Sequence, residues 1–494
     1  MDTSIEKHPK GLYVLFFSEA WERFSFYGMR ALLVLYLVDH LGYTRTDALS
    51  VYATYLGLVY LTPLIGGALA DRVLGARKAI IIGGTLMAIG HLAMAFESQV
   101  FMGMGLIIAG SGFFKPNIST IVGSLYEEGD PRRDGGFTIF YMGINLGAFF
   151  APLVCGWLGE KIGWHFGFSA ATIGMVLGIT VFILGQGLLG TAGFPPNQTN
   201  ISSSTRLAQK DWIDVILFVA ASIAVVAGIL YLWQYVGPFW DSLTWIQKLM
   251  AAVFFLLAGK GWNTLSHRKR SEADDGKEPF TREERHRLIV TVIICIFVVF
   301  FWMGFEQAGG TMNLFADKQT DRIIFGWEFP ASWFQAVNPL FIIMLAPIFS
   351  LIWRRNDSWR HGISTPAKMG LGMILLGLGF IVMYFGQQSA AKFGKAGLGW
   401  LVIVYLLHTI GELSLSPIGL SLVTKLSPAR TVSFMMGIWF AASALADYMA
   451  GRLEEILTHF AIPLWPFLIA SSCGAGLVLL ALTPFLKKWM HEAS

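Results

Sequence analysis

The chain has 494 residues, of which 55% are hydrophobic and only 14% charged, with a net charge of +4 and a mean hydropathy of +0.59. Soluble domains carry about 25% charged residues, so this composition excludes a water-soluble globular protein and indicates an all-α polytopic membrane protein. The small positive balance sits in short loops and gives no basis for a nucleic-acid partner. Fifty-four glycines and 39 phenylalanines suit helices that pack closely in lipid.

Apolar runs predict helices near 12–38, 48–70, 79–96, 101–124, 138–158 and 166–189. A polar stretch, 191–210, precedes two further runs at about 212–235 and 245–264, and a charged loop, 267–287, follows. Six more runs come at about 288–309, 329–353, 369–389, 396–424, 431–451 and 461–486. The plan is six, two, six: an N-terminal bundle over 1–190, a linker with an extra helical pair over 191–287, and a C-terminal bundle over 288–494, fourteen spans in all.

With the amino terminus inside, 25 of the 36 Lys and Arg fall in cytoplasmic loops and eight in outer ones. By the positive-inside rule this places both termini in the cytoplasm. The polar start is unlike a cleavable signal. Thr281-Arg-Glu-Glu284 reads as a capping box opening the seventh predicted span of the two bundles. Cys155, Cys295 and Cys473 fit no metal spacing and read as small buried hydrophobes. Three Asn-x-Ser/Thr matches, at Asn117, Asn197 and Asn200, fall inside a span or on the cytoplasmic side and read as chance.

Charges inside the spans carry the chemistry. The first span holds Glu19, Glu22, Arg23 and Arg30 at offsets that share one helical face. Each charge alone at mid-bilayer costs about 2.5–3.5 kcal/mol on insertion scales, so the stripe predicts a polar interior. Lys115 lies mid-span before Pro116 and requires a carboxylate partner, with Glu22 and Glu412 as candidates. Glu306 lies deep in an apolar helix, where Arg30 can pair with it across the halves. A cross-half pair that forms only when one side closes is a gate. Glu19, Glu22, Glu306 and Glu412 against Arg23, Arg30 and Lys115 leave one negative charge in excess. One proton neutralises that set, and its uptake by a carboxylate would release a cationic partner. His91 and His408, also within spans, read as structural. No HExxH, GxSxG or Cys/His cluster is present, so no enzyme and no metal site is expected.

Between the second and third spans, Gly67-Ala-Leu-Ala-Asp71-Arg72-Val-Leu-Gly75-Ala-Arg77-Lys78 resembles the loop motif of the major facilitator superfamily. That resemblance implies two six-helix bundles around a central cavity, rocking between two open states. Four further stretches narrow it: Glu19-x-x-Glu22-Arg23; Gly112-Phe-Phe-Lys115-Pro116-Asn117; Phe140-Tyr141-Met-Gly-Ile144-Asn145-Leu-Gly147; and Gly411-Glu412-Leu-Ser-Leu-Ser-Pro417. Together they resemble the proton-dependent oligopeptide transporter family, prokaryotic type.

The resemblance implies a proton-coupled symporter importing di- and tripeptides across the inner or plasma membrane, monomeric, with protons as coupling ion and no cofactor. It places the peptide carboxylate against Arg30 and Lys115, with Tyr27 and Tyr60 beside it. Asn145, Asn338 and Glu412 would take the amino end, while Trp302, Trp439 and Ser443 would shape the pocket. Glu19, Glu22, Arg23 and Glu306 would couple protons. Arg30 with Glu306 and Lys115 with Glu412 would gate. The alternative cargo is another small solute, such as nitrate or a peptide-like drug; retention of Glu412 favours a zwitterion over a bare anion. Phe26 stands where the family often has a tyrosine, and span two lacks the histidine of animal members.

Overall fold

The computed structural model describes residues 7–70, 74–127, 130, 132–194, 216, 220, 280–357, 362–428 and 431–491. The expected extra helical pair lies outside these residues, apart from positions 216 and 220, as do Asp71 and Arg72 of the loop motif and the sites at Asn197 and Asn200.

Twelve long helical spans are described. In the first half they are α1 (Gly11–Leu35, running on through Tyr36–His40), α2 (Arg45–Leu61, continued after Thr62 as Pro63–Leu69), α3 (Ala76–Met94), α4 (Val100–Ser124), α5 (Arg133–Ala151, extended by wider turns to Ile162) and α6 (Trp164–Gly185). The second half contributes α7 (Arg282–Phe305, then one tighter turn at Glu306–Gly309, then Thr311–Gln319), α8 (Val337–Asp357), α9 (Thr365–Phe393), α10 (Gly399–Leu426), α11 (Val432–His459) and α12 (Leu464–Met490). The capping box at Thr281 is formed in both directions.

The two halves repeat one packing scheme. In the first, α1 packs on α5 and α6, α3 on α4 and α6, and α2 on α4; in the second, α7 packs on α11 and α12, α9 on α10 and α12, and α8 on α10. Even the close approaches correspond. A Cβ on Gly103 of α4 would lie 2.6 Å from the carbonyl of Gly90 on α3, and one on Gly411 of α10 would lie 2.6 Å from that of Gly372 on α9. Only glycine lets the backbones meet there. The halves join along two seams, α2 with α11 and α5 with α8, which this pseudo-symmetry interchanges.

Arg132 donates to the Lys7 carbonyl and Arg287 to that of His491, so both ends of the described chain lie on one side, the terminal end. At the far end, pairs cross between the halves. Arg45 Nε meets Glu454 at 2.7 Å, Lys318 Nζ meets Asp39 at 2.6 Å, and the Glu160 carboxylate accepts the N–H groups of Ala331 (2.7 Å) and Ser332 (2.9 Å). Two short strand pairings finish this end: Thr320–Asp321 runs parallel to Ala396–Gly397, and Ile323–Ile324 pairs antiparallel with Trp327–Glu328.

Candidate substrate cavity

A cavity of about 210 Å³ opens where α1, α2, α5, α7, α8 and α10 converge. Tyr27 and Arg30 come from α1, Tyr60 from α2, Asn145 from α5, Trp302 and Glu306 from α7, Asn338 from α8 and Glu412 from α10. These eight predicted residues share one wall system.

Arg30 closes it toward the far end. Its Nη2 reaches Glu306 Oε2 at 2.5 Å and its Nε donates to Tyr52 Oη at 2.8 Å. Arg30 is 6% and Glu306 5% exposed. The tight turn at Glu306–Gly309 interrupts α7 at this point, and Gln307 Nε2 donates to the Ala450 carbonyl at 2.8 Å, fastening α7 to α11. Across the cavity, Asn338 Nδ2 donates to Glu412 Oε2 (2.9 Å) and to Thr409 Oγ1 (3.0 Å). The Arg30 guanidinium lies 5.6 Å from the Tyr27 ring centroid. An ion pair that can yield its guanidinium thus faces an acidic edge across aromatic walls, an arrangement that suits a ligand with charge at both ends.

The charge cluster of α1 lies outside the cavity lining. Arg23 Nε approaches Glu19 Oε1 at 2.8 Å and Glu22 Oε2 at 2.5 Å, and Glu22 is fully buried. The N–H direction is not aligned with either oxygen, so these are contacts between charges rather than directed hydrogen bonds.

Lys115 departs from expectation. No carboxylate within salt-bridge distance answers it among the described residues; its Nζ rests 4.3 Å from the Phe26 ring centroid and 4.4 Å from that of Tyr60. Aromatic faces hold the ammonium by their quadrupoles, and the position expected to carry a second tyrosine supplies one of them. The Lys115–Glu412 pairing is therefore not formed, and Glu412 takes Asn338 instead. Pro116 has no N–H for the Gly112 carbonyl, and the continued part of α2 packs at this point through Gly66.

Trp439 and Ser443 lie away from the cavity lining. Trp439 is buried against Gly419 of α10, and Ser443 donates back to its carbonyl. In their place the structure brings in Tyr141, Gln335, Tyr405 and His408, the last expected to be structural. The excess of one negative charge also needs correction. Asp447, within the predicted span 431–451, is buried in α11 and adds a fifth carboxylate. Five carboxylates now face three cations. A lone carboxylate in an apolar run was the available signal.

Residues 77–465 match the family model described as POT family. A Bacillus subtilis protein described as an uncharacterized transporter, YclF, is 38% identical over 493 residues, covering 98% of this chain and 95% of that one. A di-/tripeptide transporter of Lactococcus lactis subsp. cremoris is 34% identical over 510 residues, covering 98% and 97%. The crystal structure of peptide transporter POT in complex with sulfate superimposes with a TM-score of 0.78 at 37% identity, covering 98% of this chain and 96% of that one. The chain belongs to the POT family. Its two six-helix halves are the major facilitator fold of POT transporters, and the cavity lies where those halves meet.

Proposed function

We propose that this POT protein imports di- and tripeptides with protons, by alternating access across the inner or plasma membrane. The observation that carries the reading is the Arg30–Glu306 pair: one partner comes from each half, it is buried, and it closes the far side of a dipolar cavity. In this reading the far end faces outward and the termini face the cytoplasm, in line with the Lys/Arg bias of the loops. The peptide carboxylate is drawn to Arg30 and its amino group to Glu412, with Asn145 and Asn338 placing the backbone. With the far side open, a proton on Glu306 frees Arg30 for the peptide carboxylate; loss of that proton to the cytoplasm lets Arg30 and Glu306 pair again, which displaces the peptide inward. Relaxation of the pair after release resets the carrier. The POT relatives are transporters, and this chain acts as a carrier rather than a catalyst, working as a monomer.

The test is uptake of a labelled dipeptide into proteoliposomes under an imposed proton gradient. Accumulation is expected with an acidic exterior and is abolished by uncoupler. Glu412→Gln and Lys115→Ala are expected to end driven accumulation; normal uptake in both refutes the assignment. Nitrate, offered as competitor, is expected to leave dipeptide uptake unchanged.

A further inference from the structure

Asp447 is the buried acid that the cavity does not account for. It is 3% exposed, and no protein donor reaches its Oδ2 among the described residues. Among the described residues, the other carboxylates buried in the spans have an answering group: Arg23 for Glu19 and Glu22, Arg30 for Glu306, Asn338 for Glu412. A carboxylate oxygen left without a donor in a low-dielectric interior makes the ionised form far costlier than the neutral acid.

Its setting makes that proton conditional on conformation. Asp447 sits on α11, one turn before Ala450, the residue fastened to the α7 turn by Gln307. It therefore travels with Glu306 and the second half. The cations whose fields act on it, Arg30 of α1 and Lys115 of α4, belong to the first half, and so do Tyr52 and Tyr60 of α2, which feel its charge in turn. Glu306 is the acid that acts on it from its own half. On α10, Tyr405, His408 and Glu412 are placed on the cavity wall, while the charges of α12 are Lys487 and Lys488 in its last turn. Rocking the halves changes the distance from Asp447 to Lys115, an ammonium that rests against ring faces and has no ion pair among the described residues.

We propose that Asp447 is a further proton-binding residue of the transport cycle, separate from the α1 acids and from Glu306. It takes a proton from the outer side, holds it while the far-end seam is shut, and gives it to water on the terminal side as the cavity opens there. As a coupling residue it rests on the transport reading above; as a proton site it does not.

Infrared difference spectra of the full-length protein in lipid, acid against alkaline, test the site itself. A protonated-carboxyl stretching component present in the wild type is expected to vanish in Asp447→Asn, and an unchanged spectrum overturns the proposal. Proteoliposomes then test its place in coupling. Asp447→Asn is expected to keep labelled-dipeptide counterflow while driven accumulation falls. With one pH unit imposed, each coupled proton lost lowers the accumulation ratio about tenfold. An unaltered ratio and pH profile overturn the coupling role. Absence of counterflow in the wild type defeats the transport reading, and the infrared result still decides the proton site. Should Asp447→Asn not fold, Asp447→Glu is expected to move the component in frequency, and an unmoved band overturns the proposal.

Discussion

The α2–α11 and α5–α8 seams occupy equivalent places in the fold and are built to opposite ends. Along α2–α11 the backbones touch: a Cβ on Gly451 would lie 2.5 Å from the Leu49 carbonyl, and one on Gly57 would lie 3.3 Å from that of Ala444. Along α5–α8 the helices stand apart enough for Asn145, Ala148 and Pro152 to face Gln335, Asn338 and Ile342 across open space. Pseudo-symmetry supplies two equivalent joints, and side-chain volume decides which is closed and which lines the cavity. Small residues close the first; polar residues, which do better wet than dry, keep the second open.

Breaking the closed seam gives the largest effect. Gly451→Val drives a side chain into the backbone of α2, and overpacking of this kind costs on the order of 3 kcal/mol. The expected outcome is a sharply lowered unfolding temperature in detergent, whereas Asn145→Leu on the open seam is expected to leave that temperature unchanged while abolishing dipeptide counterflow. Equal thermal losses in both would erase the distinction.

Next comes the pair bridging the seams. Glu306→Gln takes the counter-charge from Arg30 and leaves an amide oxygen to accept its N–H, a loss of about 1.5–3 kcal/mol, the scale of a hydrogen bond to a charged group. Far-end closure weakens by that amount, and cysteines placed at the far-end mouth should label much faster than in the wild type. Smaller is the loss from Asn338→Ala, which removes the donor held by Glu412; an unsatisfied acceptor costs about 1–3 kcal/mol. The Michaelis constant for a dipeptide in counterflow should rise about tenfold with the unfolding temperature preserved, tenfold being about 1.4 kcal/mol. Smallest is Arg45→Gln at the tip of the closed seam. Both partners are partly exposed to water, and such pairs contribute about 0.2–1 kcal/mol. A slight increase in far-end labelling that disappears in high salt is the expected signature.

Much of this was legible in the chain. Charges inside apolar runs identified Arg30, Glu306 and Glu412, because burial of an ion demands an explanation wherever it occurs. The identity of each partner was less legible. Lys115 was expected to find a carboxylate, but Phe26 and Tyr60 lie over it, and sequence does not give the rotation of α1 against α4. Trp439 and Ser443 followed the resemblance and fell outside the cavity lining for the same reason: helical phase around α11 is set by packing against α10. Tyr141 stood in a motif with no role attached and Tyr405 in none, since aromatic residues in a span serve lipid, core and ligand alike. Asp447 did carry a signal.

The far-end clasp between Thr320–Asp321 and Ala396–Gly397 has a mechanical consequence. It staples the connection after α7 to the connection before α10, so torque applied at the break in α7 reaches α10 without being absorbed by slack loops. The second half is thereby tied across its far-end rim, from the helix that carries Glu306 to the helix that carries Glu412.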